Sequence, residues 1–172
     1  MNVFISGSIS ISKLPPSAVK KIDSIINNNF TILIGDAKGV DLQVQKYLYE
    51  KNYDNVIVYF VGLESRNNIG NWKTKKIADE NNRKGRELFT LKDIAMAEDA
   101  DYGLMIWDGK SPGTLNNIKE MKNRNKRFFV IYKETVIDEK NTDLLISRNE
   151  KKKTANKSQL ALFNILPCPV LD

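Results

Sequence analysis

The chain opens on an apolar run of strand length, Asn2-Val-Phe-Ile5, which predicts a first strand over about 2–6. Runs of the same kind return at Phe30-Thr-Ile-Leu-Ile34, from Asn55 to Val61, at Tyr102-Gly-Leu-Met-Ile-Trp107 and from Phe128 to Tyr132. Between them the apolar residues fall at helical spacing. Val19, Ile22, Ile25 and Ile26 predict a helix from Ser17 to about Asn28, entered through Pro15-Pro16 and closed by Asn27-Asn-Asn29. Leu42, Val44, Tyr47 and Leu48 predict a second over 39–51. Leu88, Leu91, Ile94 and Ala95 give the inner face of a third over 86–99, and Leu115, Ile118 and Met121 that of a fourth over 114–124. Strands alternating with helices predict parallel βαβ units with right-handed crossovers. The fold class is therefore α/β: a Rossmann-like parallel sheet of five strands in the order 3-2-1-4-5, with helices on both faces.

Two regions break the alternation. Residues 62–84 are polar and poorly periodic, around Arg66-Asn-Asn-Ile-Gly-Asn-Trp72. A loop of that length in a compact domain is functional or disordered. Trp72 either stacks on a base or sugar or packs the loop onto the domain. Beyond Glu134 the pattern weakens, with an edge strand expected over 142–147. The domain is read as 1–147. Residues 148–172 follow as a basic linker around Lys151–Lys157 and an apolar tail, Leu160-Ala-Leu-Phe-Asn-Ile-Leu166, suited to docking on the domain or on a neighbour.

The strand ends carry the candidate chemistry. Asp108-Gly-Lys-Ser-Pro-Gly-Thr114 joins the fourth strand to the fourth helix. A strand, a small-residue turn and a helix in that order aim backbone N–H groups and a helix N-terminus at one point, which suits an anion such as phosphate. Gly113 lets the backbone approach a ligand, and Ser111 and Thr114 add hydroxyls. Gly35-Asp-Ala-Lys-Gly-Val-Asp41 stands likewise after the second strand, with Lys38 and Gly39 inside it. Ser6-Gly7-Ser8 closes the first. In open α/β sheets ligands bind outside the carboxyl ends of the strands, where the strand order reverses. Three such turns in one chain point to a cleft around Gly7, Gly35 and Gly113.

Bulk properties narrow the chemistry. The 172 residues are 41% hydrophobic, enough for one domain with a core. They contain no apolar run near the length of a membrane span. The single Cys168 excludes an internal disulfide framework, and the simplest setting is cytoplasmic. Histidine is absent, which excludes Ser–His–Asp and Cys–His catalysis and imidazole-rich zinc sites, so no metal and no cofactor is expected. Acid–base work would fall to carboxylates, Lys or Tyr. The net charge of +6 suits an acidic partner. Much of it is local, in Lys122, Arg124, Lys126, Arg127, Arg148 and Lys151–Lys153, without the interleaved aromatics of a nucleic-acid platform. These charges read as solvated surface.

With its loops placed, the chain resembles the SLOG superfamily, which groups DprA, YspA-like proteins and the cytokinin-activating LOG proteins. Gly35-Asp-Ala-Lys-Gly-Val-Asp41 is similar to the Gly-[Gly/Asp]-Ala-x-Gly-x-Asp loop of the YspA branch. Met96-Ala-Glu-Asp-Ala-Asp101 is similar to the family's Met-Ala-x-x-Ala-Asp run. Ser111-Pro-Gly-Thr114 resembles a shortened Pro-Gly-Gly-x-Gly-Thr phosphate loop. The likeness covers about 1–132 and implies a Rossmann-like sheet binding nucleotides or nucleotide-derived ligands, often as a dimer. LOG-type members are phosphoribohydrolases, and there this chain departs. Asn117 stands where they carry a catalytic Glu, and Lys92 where they carry a catalytic Arg. Asn117 supplies neither a stabilising negative charge nor a general base. Lys92 holds a phosphate as a point charge and not as a fork.

Other acids are candidates for ribose hydroxyls or, in an enzyme, for the missing carboxylate: Asp36, Asp93 and Asp108, with Asp41 for ribose alone. Asp41 serves equally as a helix N-terminal charge and Asp108 as an Asx-turn residue. Arg83 and Arg86 are either a phosphate clamp or surface charge. The reading that follows is binding, for sensing or sequestration, of a nucleotide-derived small molecule such as an ADP-ribose derivative or a cyclic nucleotide. Some SLOG domains are sensors of this kind in antiviral defence. The alternative is an N-glycoside hydrolase or transferase, LOG-like or deoxyribosyltransferase-like. A homodimer or larger homo-oligomer is expected, packed through the tail or through the third and fourth helices.

Overall fold

A computed structural model describes residues 1–143 and 145–147. Each predicted apolar run forms a strand: β1 (Asn2–Gly7), β2 (Thr31–Gly35), β3 (Val56–Val61), β5 (Tyr102–Trp107) and β6 (Arg127–Tyr132). They lie in the expected order, all parallel, with β1 flanked by β2 and β5. The sheet is wider than expected, because β4 (Lys73–Ile77) pairs parallel to β3 and β7 (Thr135–Asp138) pairs antiparallel to β6. The complete order is β4-β3-β2-β1-β5-β6-β7. The fold is a Rossmann-like α/β sandwich.

Each extra strand has a reason for hiding in the sequence. Lys73, Thr74, Lys75 and Lys76 are all exposed, so β4 has no apolar face to reveal a period of two. Lysines along an edge discourage a further strand from pairing there. The β6–β7 hairpin turns on Lys133 and Glu134, both at positive φ (47° and 64°). That turn ordinarily announces itself through Asn-Gly or Asp-Gly.

The helices α1 (Pro16–Asn27), α2 (Val40–Glu50), α3 (Gly85–Asp99) and α4 (Pro112–Asn123) fill the intervals. Ala18, Ile22 and Ile25 of α1 and Val40, Val44 and Leu48 of α2 pack on Val3, Ile5, Ile32 and Ile34 in one core. Residues of the opposite parity meet α3 and α4 on the other face, where Gly103, Met105 and Met121 close together. The inner face of α3 is not the expected one. Met96 and Ala97 are buried with Lys92, while Ile94 is 38% exposed, because the helix offers its polar residues to the strand ends.

The chain divides into two compact units, Met1–Glu139 and Lys140–Asp172. In the second, the stretch expected as an edge strand is helical where described. The Ile146 N–H donates to the Thr142 carbonyl at 3.0 Å, and Ser147 Oγ to the Asp143 carbonyl at 2.7 Å. The basic linker and apolar tail of 148–172 lie outside the described residues. Among the described residues, no helix is long and apolar enough to cross a membrane.

Candidate functional site

Strand order reverses between β2-β1 and β1-β5, and a cleft of about 350 Å³ opens at the carboxyl ends of these strands. Nine of the residues singled out from the sequence line it. Gly7 comes from β1 and Asp41 from the first turn of α2. Arg86, Lys92 and Asp93 come from α3, and Ser111, Gly113, Thr114 and Asn117 from the start of α4.

Its floor is built around Lys92, a buried ammonium only 4% exposed. Lys92 Nζ lies 2.8 Å from Asp93 Oδ1 and 4.0 Å from Asp41 Oδ2. Asn117 Nδ2 donates to Ser6 Oγ at 2.7 Å and to Asp93 Oδ2 at 3.4 Å. Gly35 makes this cluster possible. A Cβ there would stand 2.3 Å from Asp41 Oδ2 and 2.6 Å from Lys92 Nζ. Burial pushes the Asp41 carboxyl up to about 6, more than the attraction of Lys92 and the Ala37 N–H bond return. Burial also works against the Lys92 ammonium, but Asp93 and Asp41 overcome it and hold its pKa above the ordinary value.

In the cleft lining α4 begins with Pro112 at its first position, and its N-cap Ser111 makes no side-chain capping hydrogen bond. The guanidinium of Arg86 lies beside Gly113, its Nη2 3.6 Å from where a Cβ would stand. A helix N-terminus with an arginine over it is an anion seat. Arg66 and Phe89 also line the cleft, with Arg66 Cζ 4.3 Å from the centre of the Phe89 ring. Neither was singled out from the sequence as a site residue. Arg66 was visible in the polar segment beside Trp72, and its partner Asp36 lies 30 positions away.

The remaining expected residues serve the frame. Ser8 is fully buried. Its Oγ accepts from the Asp108 N–H at 3.0 Å and lies 3.3 Å from Thr114 Oγ1, and its backbone joins β5 and α2. Asp108 is the Asx-turn residue, its Oδ1 accepting from the Lys110 and Ser111 amides and its Oδ2 from Ser10 Oγ. Burial raises the Asp108 carboxyl, but these bonds outweigh it and leave it below the usual range. Asp36 is fully buried and gripped by Arg66 through Nε, Nη2 and the backbone N–H. Burial would raise its pKa, and Arg66 reverses that. Neither acid is free to meet a substrate. Gly39 adopts φ 74°, pressed against the backbone of Ile9, and Lys38 points to solvent. Trp72 packs: it is 7% exposed within the core, and its Nε1 donates to the Tyr53 carbonyl at 3.0 Å. Arg83 is tied to Asp79 at 2.9 Å, away from the cleft.

A larger groove of about 830 Å³ runs beside α1, lined by Ile11, Leu14, Pro15, Val19, Trp107 and Ile131. It has no buried polar floor, so the smaller cleft is the candidate site. Among the described residues, no three His, Cys, Asp or Glu side chains are grouped to hold a metal ion. No known protein family, curated protein or solved structure matches this chain.

The raised Asp41 carboxyl sets a pH dependence. The folded state takes up its proton more readily than the unfolded chain, so the contribution is full below about pH 4 and lost as pH rises through about 6. Urea unfolding of the wild type and of Asp41→Asn should diverge between pH 4 and 7. The wild type should lose on the order of 2–3 kcal/mol relative to the variant. A constant difference across that range would show that Asp41 titrates normally.

Proposed function

We propose that the cleft binds a phosphate-bearing, nucleotide-derived small molecule, such as an ADP-ribose derivative or a cyclic nucleotide, in order to sense or sequester it. The observation that carries this reading is convergence at the strand-order reversal. Arg86 and the uncapped first turn of α4 line the cleft together with the buried Lys92 and Asn117 and the half-buried Asp93. The phosphate belongs with the Gly113 and Thr114 amides and Arg86. Hydroxyls of a ribose belong on Asp93, a carboxylate acceptor in the cleft lining. The likeness to SLOG proteins supports the same reading, since two of its three motifs, Gly35–Asp41 and Ser111–Thr114, contribute residues to the cleft lining, while Met96–Asp101 closes the helix that carries Lys92 and Asp93. A cytoplasmic setting fits a chain with one cysteine in 172 residues.

Protein purified under native conditions and then heat-denatured should release a compound whose mass fits a nucleotide derivative, and Arg86→Ala should release less. No released compound, together with no calorimetric binding of ADP-ribose or any cyclic nucleotide, would contradict the proposal.

A second reading has one observation in its favour. Of the three acids named as substitutes for the missing Glu, only Asp93 lines the cleft, with one oxygen toward Lys92 and the other toward Asn117. Cleavage of an N-glycosidic bond needs a carboxylate near the anomeric carbon, where positive charge develops. Incubating nucleoside monophosphates and ADP-ribose with the protein tests this. Free base released by the wild type and reduced by at least about a hundredfold in Asp93→Asn would establish an enzyme. Absence of free base throughout leaves the binding reading.

A further inference from the structure

Asp36 presents a problem that the cleft floor does not explain. A carboxylate is fully buried at the end of β2, and the partner given to it is an arginine whose side chain remains 43% exposed. Burying a charge costs folding free energy, and the bidentate fork offsets only part of it. A plain staple for the 62–72 segment was already available. Asn67 Nδ2 donates to the Asp36 carbonyl at 2.7 Å, and Gln45 Oε1 accepts the Ile69 N–H at 3.0 Å. The fork does one thing these bonds do not. It fixes the plane of the Arg66 guanidinium over Phe89, 4.3 Å from the ring centre, on the wall of the cleft. Phe89 is itself 37% exposed, which leaves its ring and the guanidinium over it open to the cleft.

We propose that Arg66 and Phe89 form a stacking plate for the aromatic base of the ligand, with Asp36 as the positioning residue that holds the guanidinium flat. The inference rests on the proposed function and adds to it which wall recognises the base. A guanidinium plane backed by an aromatic ring offers a flat, polarisable surface to a heteroaromatic ring and tolerates either purine or pyrimidine. Arg86 stands one turn before Phe89 on α3 and beside Gly113, so phosphate and base are read by different side chains of one cleft. Ligands that keep the phosphate and lose the base should therefore bind, but more weakly.

The test is calorimetric titration of the full chain with AMP and with ribose 5-phosphate. The wild type should bind AMP about tenfold more tightly, in the range of one base stacked on one plate. Phe89→Leu keeps an apolar side chain on an exposed position and removes the ring, while Arg66→Lys keeps the charge and removes the plane. Each should abolish the preference for AMP while leaving ribose 5-phosphate within about twofold of wild type. Asp36→Asn should act in the same direction through Arg66. Equal affinities of the wild type for the two compounds would overturn the plate and leave the phosphate seat standing. Variants that weaken both compounds equally would reduce Arg66 to a loop staple and overturn it as well. If neither compound binds, the plate falls together with the reading on which it rests.

Discussion

A single buried ammonium organises the carboxyl edge of this sheet. Lys92 is carried by the polar side of α3 into the space where strand order reverses, and an unpaired charge there would cost several kcal/mol. The surroundings follow from that demand. Asp93 supplies a direct partner and Asp41 a second carboxylate across it. Gly35 has no side chain, which leaves room for Asp41 and Lys92 to approach. Asn117 ties Asp93 to Ser6 at the end of β1. The cluster holds two carboxylates against one lysine, and Asp41 absorbs the mismatch by holding its proton to about pH 6. An anion arriving beside Lys92 therefore meets a floor whose charge depends on pH.

The rest of the site is a second solution to the same problem at a different place. Asp36 and Arg66 pair at the end of β2, but there the cation is left half in water and turned toward the cleft. One buried acid thus serves the floor and another serves a wall. The groove beside α1 is larger, but the charges in its lining, Lys13, Lys20, Asp108, Lys133 and Glu134, are none of them buried.

Much of this was legible in the sequence. The five central strands are long enough and apolar enough to be seen without a partner, and alternation with helices fixed their order. Gly7, Asp41, Gly113 and Thr114 fall in the cleft because strand ends in a parallel sheet all face one way, and Lys92, Asp93 and Asn117 reach it from inside α3 and α4. What escaped depends on pairings that local pattern does not carry. The edge strand Lys73–Ile77, polar but for its last residue, acquires its structure by pairing with β3. The Asp36–Arg66 fork spans two elements, and without it Asp36 reads as a free acid and Arg66 as surface. Trp72 was the most conspicuous residue of its segment and proved to be core, because its ring covers Gly70 and its N–H reaches Tyr53. On α3 the apolar residues predicted the wrong face, since the helix turns Lys92 inward at the expense of Ile94.

The central claim is that the crevice at the strand-order reversal is where a nucleotide-derived ligand sits. Amide chemical shifts of ¹⁵N-labelled protein titrated with ADP-ribose test it most directly. The account predicts saturable shifts at Gly7, Arg66, Phe89, Gly113 and Thr114, with Leu14 to Val19 beside the large groove unmoved. Shifts confined to Leu14–Val19, with the amides of Gly113 and Thr114 unchanged, would contradict it.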